Sequence, residues 1–281
     1  MWSNIVQYIR DCQKKAKEDG YPLWFRGQRD SSWPLLSTMH RETNKMVSVD
    51  PTRTFTDPER VSLLWSEYVT LFHKFKARAI RMLPEYERTD WGLIFAMQHL
   101  GLPTCLLDWT ESFSCALYFA QKGRASSNDA AIFLLAPELL NMEILGNEGL
   151  VALGGDVNKR TAVEVHQYHP AAPRSTKGDD TESLAIAPEL TNARMVAQRA
   201  AFILCGTSFQ PLEERYTKAI EKVVLPSSDF DAAQEFLEMT GQDHFGLFPD
   251  LEGLCVYLRE GLKQEVEQTK KKLSSSSFSV S

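Results

Sequence analysis

One stretch narrows the folds open to this chain more than any other. It runs His99-Leu100-Gly101-Leu102-Pro103-Thr104-Cys105-Leu106-Leu107-Asp108-Trp109-Thr110-Glu111-Ser112-Phe113 and on to Ala120. Gly101 and Pro103 make a turn, because Pro103 disfavours helix at Leu102. Residues 104–107 are a short apolar run that fits either kind of element. Asp108 with Glu111 three residues later has the spacing of a capping box. Trp109, Phe113, Ala116, Leu117 and Ala120 then fall on one helical stripe. The expectation is a helix opening at Asp108. A turn would deliver His99, Thr104, Asp108, Trp109 and Thr110 to its N-terminus, where free N–H groups and the helix dipole favour an anion.

The other elements are read around this one. Ile5, Tyr8, Ile9, Cys12 and Ala16 mark a first helix ending near Gly20. A strand over 23–26 should halt at Gly27, leaving Arg26 at its end and Gln28, Arg29 and Asp30 in a polar turn. Residues 41–57 read as irregular. Asp57 with Pro58 opens a long helix, and Asp90 caps another that runs into Gln98 and His99. Strands are expected over 130–135, 184–187, 201–205 and 220–225. Asp229 caps a helix with Phe230, Ala233, Phe236 and Leu237 inward, and Pro249 opens the last one. The fold class is α+β, with a mixed or antiparallel central sheet among several helices. Residues 1–265 are read as one domain, with a helical N-terminal part (1–100) and a long loop excursion or lid (146–182). Residues 266–281 are read as a disordered tail.

Composition excludes some classes. A net charge of −6 argues against broad capture of nucleic acid, though a local basic groove is compatible with it. No apolar run is long enough for a membrane span. Five scattered cysteines read as reduced thiols of a cytoplasmic protein. No Cys/His spacing predicts zinc, and His166 and His169 lack supporting carboxylates, so no metal is expected.

Four blocks together resemble the FRG domain. They are Trp24-Phe25-Arg26-Gly27-Gln28-Arg29-Asp30, the stretch from His99 to Ala120, Asn192-Ala193-Arg194-Met195-Val196-Ala197-Gln198-Arg199-Ala200-Ala201-Phe202, and Leu247-Phe248-Pro249-Asp250-Leu251-Glu252-Gly253. Two positions depart from the family pattern: Cys105 stands where Arg is usual, and Ala200 where Gly is usual. Losing an Arg removes a fixed charge and a bidentate phosphate donor.

The order of the polar groups is also similar in layout to ADP-ribosyltransferases. An Arg lies on an early strand, a Thr and aromatics lie around the next strand and helix, and Gln198 precedes a late strand. That resemblance implies NAD as co-substrate. It implies a catalytic set of Arg26, His99, Asp108 and Gln198, and a cofactor-binding set of Arg26, Gly27, Gln28, Thr104, Trp109, Thr110 and Tyr118, with Trp109 or Tyr118 stacking on a ring. Arg29, Arg194 and Arg199 would meet the acceptor substrate. Glu182 and Glu252 are alternative carboxylates, although Glu252 equally suits the first turn of the last helix. A neutral amide cannot act as a base, so Gln198 would orient its partner. The expected function is transfer of ADP-ribose to a macromolecular acceptor, a nucleic-acid base ahead of a protein side chain. The alternatives are a non-catalytic sensor of a nucleotide or phosphate ligand and an NAD glycohydrolase. Cys105 and Gln198 favour the sensor.

Overall fold

A computed structural model describes residues 2–49, 52–146, 149–153, 165–172, 181–187, 190 and 192–276. In chain order, helix α1 (Trp2–Asp19) leads to β1 (Trp24–Gln28), α2 (Thr38–Val47), α3 (Asp57–Ala79) and α4 (Asp90–His99). Then come β2 (Leu106–Thr110), α5 (Phe113–Gln121), β3 (Ala130–Leu135), α6 (Pro137–Leu145), β4 (Val151–Ala152) and β5 (Leu184–Ala187). The rest is α7 (Ala193–Ala197), β6 (Ala200–Leu204), α8 (Leu212–Arg215), β7 (Ile220–Leu225), α9 (Phe230–Met239), α10 (His244–Leu247) and α11 (Leu251–Ser276).

The strands form one seven-stranded sheet in the order β4-β5-β6-β2-β1-β3-β7. It is mixed: β4 and β5 are parallel and the other neighbours are antiparallel. Alternation along each strand sends side chains to two faces. Trp24, Leu107, Trp109, Phe133 and Ile203 belong to a single cluster on one face. The opposite face carries two clusters. Leu106, Phe202 and Leu204 pack with Tyr68 and Phe72 of α3 and with Ile94 and Phe95 of α4. Phe25, Ile132 and Leu134 pack with Leu117 and Ala120 of α5 and with Ile9 of α1. The border between those two clusters lies between β2 and β1.

The sheet parts at that border. β1 pairs with β3 along its whole length, from Trp24↔Leu135 to Gln28↔Ala131. Among the described residues it pairs with β2 only through Phe25↔Thr110. Gly27 lies inside β1 rather than ending it, and α5 explains the residue type. A Cβ at Gly27 would stand 1.8 Å from the Ala116 carbonyl oxygen, so only glycine lets the helix seat on the strand.

Several expectations are corrected. Residues 106–110 are a strand, so Asp108 is no helix cap. The helix begins at Phe113, and Ser112 caps it by accepting from the Cys115 N–H at 3.3 Å. The apolar stripe from Phe113 to Ala120 is helical as read, but Trp109 lies on the preceding strand. Thr56 and Thr89, one residue before Asp57 and Asp90, are the N-caps of α3 and α4. Helix α2 fills part of the stretch read as irregular. Its inward residues are Met39, His40 and Thr43, so it has no apolar stripe to reveal it. Helix α11 continues to Ser276, through residues expected to be disordered. The described parts of the 146–182 excursion are tied to the core. Val151 and Ala152 join the sheet, and His169 packs edge-on against Phe72 and Trp91. Residues 147–148, 154–164, 173–180 and 277–281 lie outside the described residues.

Candidate functional site

Where β1 and β2 separate, a cleft of about 590 Å³ opens. That lies within the usual range for small-molecule sites. Arg26, Gly27, Gln28 and Arg29 line it from β1 and the turn that follows. Asp108, Trp109 and Thr110 line it from β2, with Ala200 and Phe202 of β6 beyond. Helix α4 contributes Phe95, Gln98 and His99, helix α5 and its end contribute Ala116, Phe119, Lys122 and Gly123, and the α7 region contributes Arg194, Met195 and Gln198. Trp33, Pro34 and Arg41 complete the wall.

Arg26 takes over a job the sheet gives up. Cys105 and Glu111 of the β2 region point their backbone groups at the β6 side. Alternation therefore turns the Asp108 carbonyl towards β1. Among the described residues Asp108 has no paired partner on β1. The Arg26 Nη1 donates to that oxygen instead, and also lies 3.9 Å from the Asp108 carboxylate. Burial pushes the Arg26 guanidinium below its ordinary pKa, and Asp108 opposes that fall. Arginine remains charged in such a setting.

Asp108 is held from a second side. Gln98 Nε2 donates to its Oδ2 at 2.7 Å. The Thr104 hydroxyl donates in turn to Gln98 Oε1. Thr104 itself is fully buried and also accepts from the Leu106 N–H at 3.1 Å. It positions Gln98 from behind and does not line the cleft. The Asp108 side chain keeps 56% of its surface exposed, so it remains open to a ligand.

Charge is the main chemical fact of this cleft. Arg26, Arg29, Arg41, Lys122 and Arg194 line it, and Asp108 is the one carboxylate among the described lining residues. Asp108 is a shared counter-charge for Arg26, Arg41 and Arg194. Burial lowers the pKa of both Lys122 and His99, and Arg194 pushes both the same way. Both effects favour the neutral form of His99. A protein of net charge −6 thus concentrates cations in one concavity, which favours an anionic ligand.

Gln198 is anchored at the wall. Its Nε2 donates to the Leu247 carbonyl at 3.0 Å, and its own backbone carbonyl accepts from the Thr110 hydroxyl at 2.6 Å. Its Oε1 is the group left to meet a ligand. Arg199, next in the chain, has φ 46°, the one non-glycine residue with positive φ among the described residues. It is exposed and lies outside the cleft.

The structure therefore brings Arg26, Gly27, Gln28, Arg29, His99, Asp108, Thr110, Arg194 and Gln198 to one cleft, despite their sequence separations. It does not bring Thr104, Tyr118 or Arg199 there. Tyr118 sits on another side of α5, with its hydroxyl 2.7 Å from His244 Nδ1. Trp109 borders the cleft, but its ring is 3% exposed in the core, so it offers no free stacking face. Glu182 binds the Arg215 guanidinium and the Tyr216 hydroxyl elsewhere. Glu252 stands in the first turn of α11, also outside the cleft. Cys105 is buried and does not line the cleft. Ala200 does line it. Sequence reading missed Gln98, Arg41, Trp33 and Lys122. Only Gln98 carried a signal, its place beside His99 at the end of a helix. Among the described residues no group of three or more His, Cys, Asp or Glu could hold a metal ion. No helix among them is long and apolar enough to cross a membrane.

Residues 21–129 match the family model of the FRG domain. The chain carries an FRG domain. The matched FRG segment contains β1, β2, α4 and α5, and with them Arg26, Gln98, Asp108 and Lys122. Arg194 and Gln198 come from beyond it. No curated protein and no solved structure matches the chain.

Proposed function

We propose that the cleft of this FRG-domain protein binds NAD as co-substrate and that the protein transfers ADP-ribose to a macromolecular acceptor, a nucleic-acid base ahead of a protein side chain. The observation that carries the reading is the charge of the cleft: five cationic side chains and one carboxylate meet where the sheet parts. Arg26 and Arg41 suit a diphosphate, since guanidinium forks pair with phosphate oxygens. In the reaction the C–N glycosidic bond breaks and its electron pair leaves with nicotinamide. The sugar carbon becomes oxocarbenium-like, and Asp108 is the group whose charge opposes it. The acceptor nitrogen then forms the new C–N bond and gives up a proton, for which neutral His99 and Asp108 are the available bases. Gln198 Oε1 orients the acceptor amine.

A second reading has its own observation. The one carboxylate is already engaged by Gln98 and Arg26, which suits a module that binds a phosphorylated ligand without transforming it. One experiment separates the two. Labelled NAD is incubated with the protein and separate pools of single-stranded DNA, RNA and protein, while nicotinamide release and mass shifts are followed. An adduct in a nucleic-acid pool, lost in Gln198→Ala, supports transfer. An adduct confined to the protein pool keeps transfer and reverses the acceptor. Nicotinamide release without any adduct makes the protein a glycohydrolase. NAD binding without release leaves the sensor, and no NAD binding overturns the NAD reading.

A further inference from the structure

The cleft mouth carries an aromatic residue that the proposed chemistry does not use. Trp33 is 43% exposed. The other fully aromatic side chains along the lining, Phe25, Phe95, Trp109 and Phe202, are each 6% exposed or less, and Phe119 is partly covered. Trp33 is thus the most exposed aromatic side chain of the described lining.

The turn that presents Trp33 is held on both sides. Asp30 Oδ1 accepts from the Ser32 N–H at 2.9 Å and from its hydroxyl at 2.6 Å. The Ser31 N–H donates to the Asp129 carbonyl at 2.8 Å, and Lys222 donates to the Ser31 carbonyl. Pro34 follows directly, and the Leu35 N–H donates to the Glu213 carboxylate at 3.0 Å. Such ties fix the backbone that carries Trp33 before any ligand arrives, which reduces the ordering cost of binding.

Arg29 lies against the ring, with its guanidinium carbon 5.0 Å from the ring centroid. Gly123 makes room for it. That residue has φ 68°, and a Cβ there would stand 3.3 Å from Arg29 Nη1. The mouth therefore pairs a π-surface with a fixed cation, next to a lining rich in further cations. A planar ring carrying phosphate matches both features at once.

We propose that Trp33, backed by Arg29, is the platform on which a nucleobase stacks at the mouth of the cleft, with the attached phosphates directed to the cationic lining. This rests on the cleft being a nucleotide site. The stacking role expected of Trp109 and Tyr118 passes to Trp33.

The test is calorimetric titration of wild type, Trp33→Ala and Trp33→Phe with AMP, ADP-ribose, inorganic pyrophosphate, and short single-stranded oligonucleotides of DNA and RNA. Near-native melting curves confirm that the variants fold, as expected for an exposed residue. Trp33→Ala should weaken every base-bearing probe about 5- to 150-fold, the range that alanine substitution of a stacked aromatic covers. Pyrophosphate should bind all three proteins alike, and Trp33→Phe should recover most of the loss. A larger loss for the oligonucleotides makes the stacked base that of the acceptor strand, and a larger loss for ADP-ribose makes it that of the co-substrate. Pyrophosphate binding with no effect of Trp33→Ala on base-bearing probes overturns the platform and leaves the cleft reading intact. Parallel loss of pyrophosphate in Trp33→Ala overturns it too, because Trp33 would then shape the cleft rather than stack. Failure of wild type to bind any probe removes the nucleotide reading and the platform with it.

Discussion

Strand β1 has two edges, and the molecule treats them in opposite ways. Along β3, every residue from Trp24 to Gln28 has a partner, and the surroundings are Ile132, Leu134 and the apolar face of α5. Along β2, Phe25 alone is paired, and the surroundings are charged. The backbone is the same, so the difference comes from what replaces the missing ladder. A guanidinium bonds the Asp108 carbonyl where a backbone N–H would otherwise do so. The carbonyl still finds a donor, and here that donor is a charged side chain. One edge specifies the fold, and the other exposes groups that a fold by itself does not need.

The strongest way to break this comparison is Gly27→Ala. The new methyl would stand 1.8 Å from the Ala116 carbonyl and push α5 off the strand that both edges share. The expected loss is more than about 3 kcal/mol of unfolding free energy in a urea titration. A midpoint equal to wild type would show that α5 does not seat as described.

Acid should disturb the wall of the open edge next. His40 is fully enclosed, with its Nδ1 2.7 Å from the Ser37 hydroxyl, and burial pushes its pKa down to about 4. The unfolded chain takes up that proton first as pH falls through about 6.5. The stability is therefore complete above about 6.5 and is lost on the way down to about 4, on the order of 3 kcal/mol in all. Its neighbour Arg41 lines the cleft. His40→Gln should flatten the difference in denaturation midpoint between pH 7 and pH 4.5. An unchanged difference would assign it to other groups.

Arg26→Ala separates the two edges. Loss of a charged contact should weaken NAD or pyrophosphate about 10- to 150-fold, equivalent to about 1.5–3 kcal/mol. Unfolding free energy should fall by only about 1–3 kcal/mol, the cost of leaving the Asp108 carbonyl without its donor. The opposite pattern, with binding kept and stability lost, would make Arg26 a part of the fold alone. The smallest effect belongs to Gln98→Ala. It frees Asp108 to pair more closely with Arg26 and compete with an incoming anion. A few-fold loss of affinity with a nearly unchanged melting temperature is the expected result, and an unchanged affinity would show that Gln98 does not tune Asp108.

Much of the fold could be read from apolar spacing, because α1, α3, α5 and α9 each bury a stripe. Helix α2 escaped because His40 and Thr43 occupy its inward positions, and hydropathy does not register a buried polar contact. Strand β2 was read as a helix start because Asp108 and Glu111 have capping spacing, while Ser112 does the capping. Nothing local distinguishes two acceptors so close together. At the site, Arg26, Asp108 and Gln198 were legible from residue type at element ends. Trp33 was not, because a lone tryptophan before proline has no period. Tyr118 and Thr104 were misplaced for one reason: adjacency in sequence says little about which side of an element a residue occupies.

The single Phe25↔Thr110 pair also has a mechanical meaning. Among the described strands it is the only rung joining the half of the sheet that contains β2 to the half that contains β1, so it sits where a hinge pin would. Helix α5 packs on β1, β2 and β3 and acts as the strap across that hinge. A ligand gripped by Arg26 on one bank and by Arg194 or Gln198 on the other adds a second strap, which exists only while the ligand is bound. At a free concentration of about a hundred times Kd, such a strap raises unfolding free energy by about 2.7 kcal/mol. Heat resistance thereby becomes a gauge of occupancy, and it rises most for molecules long enough to touch both banks.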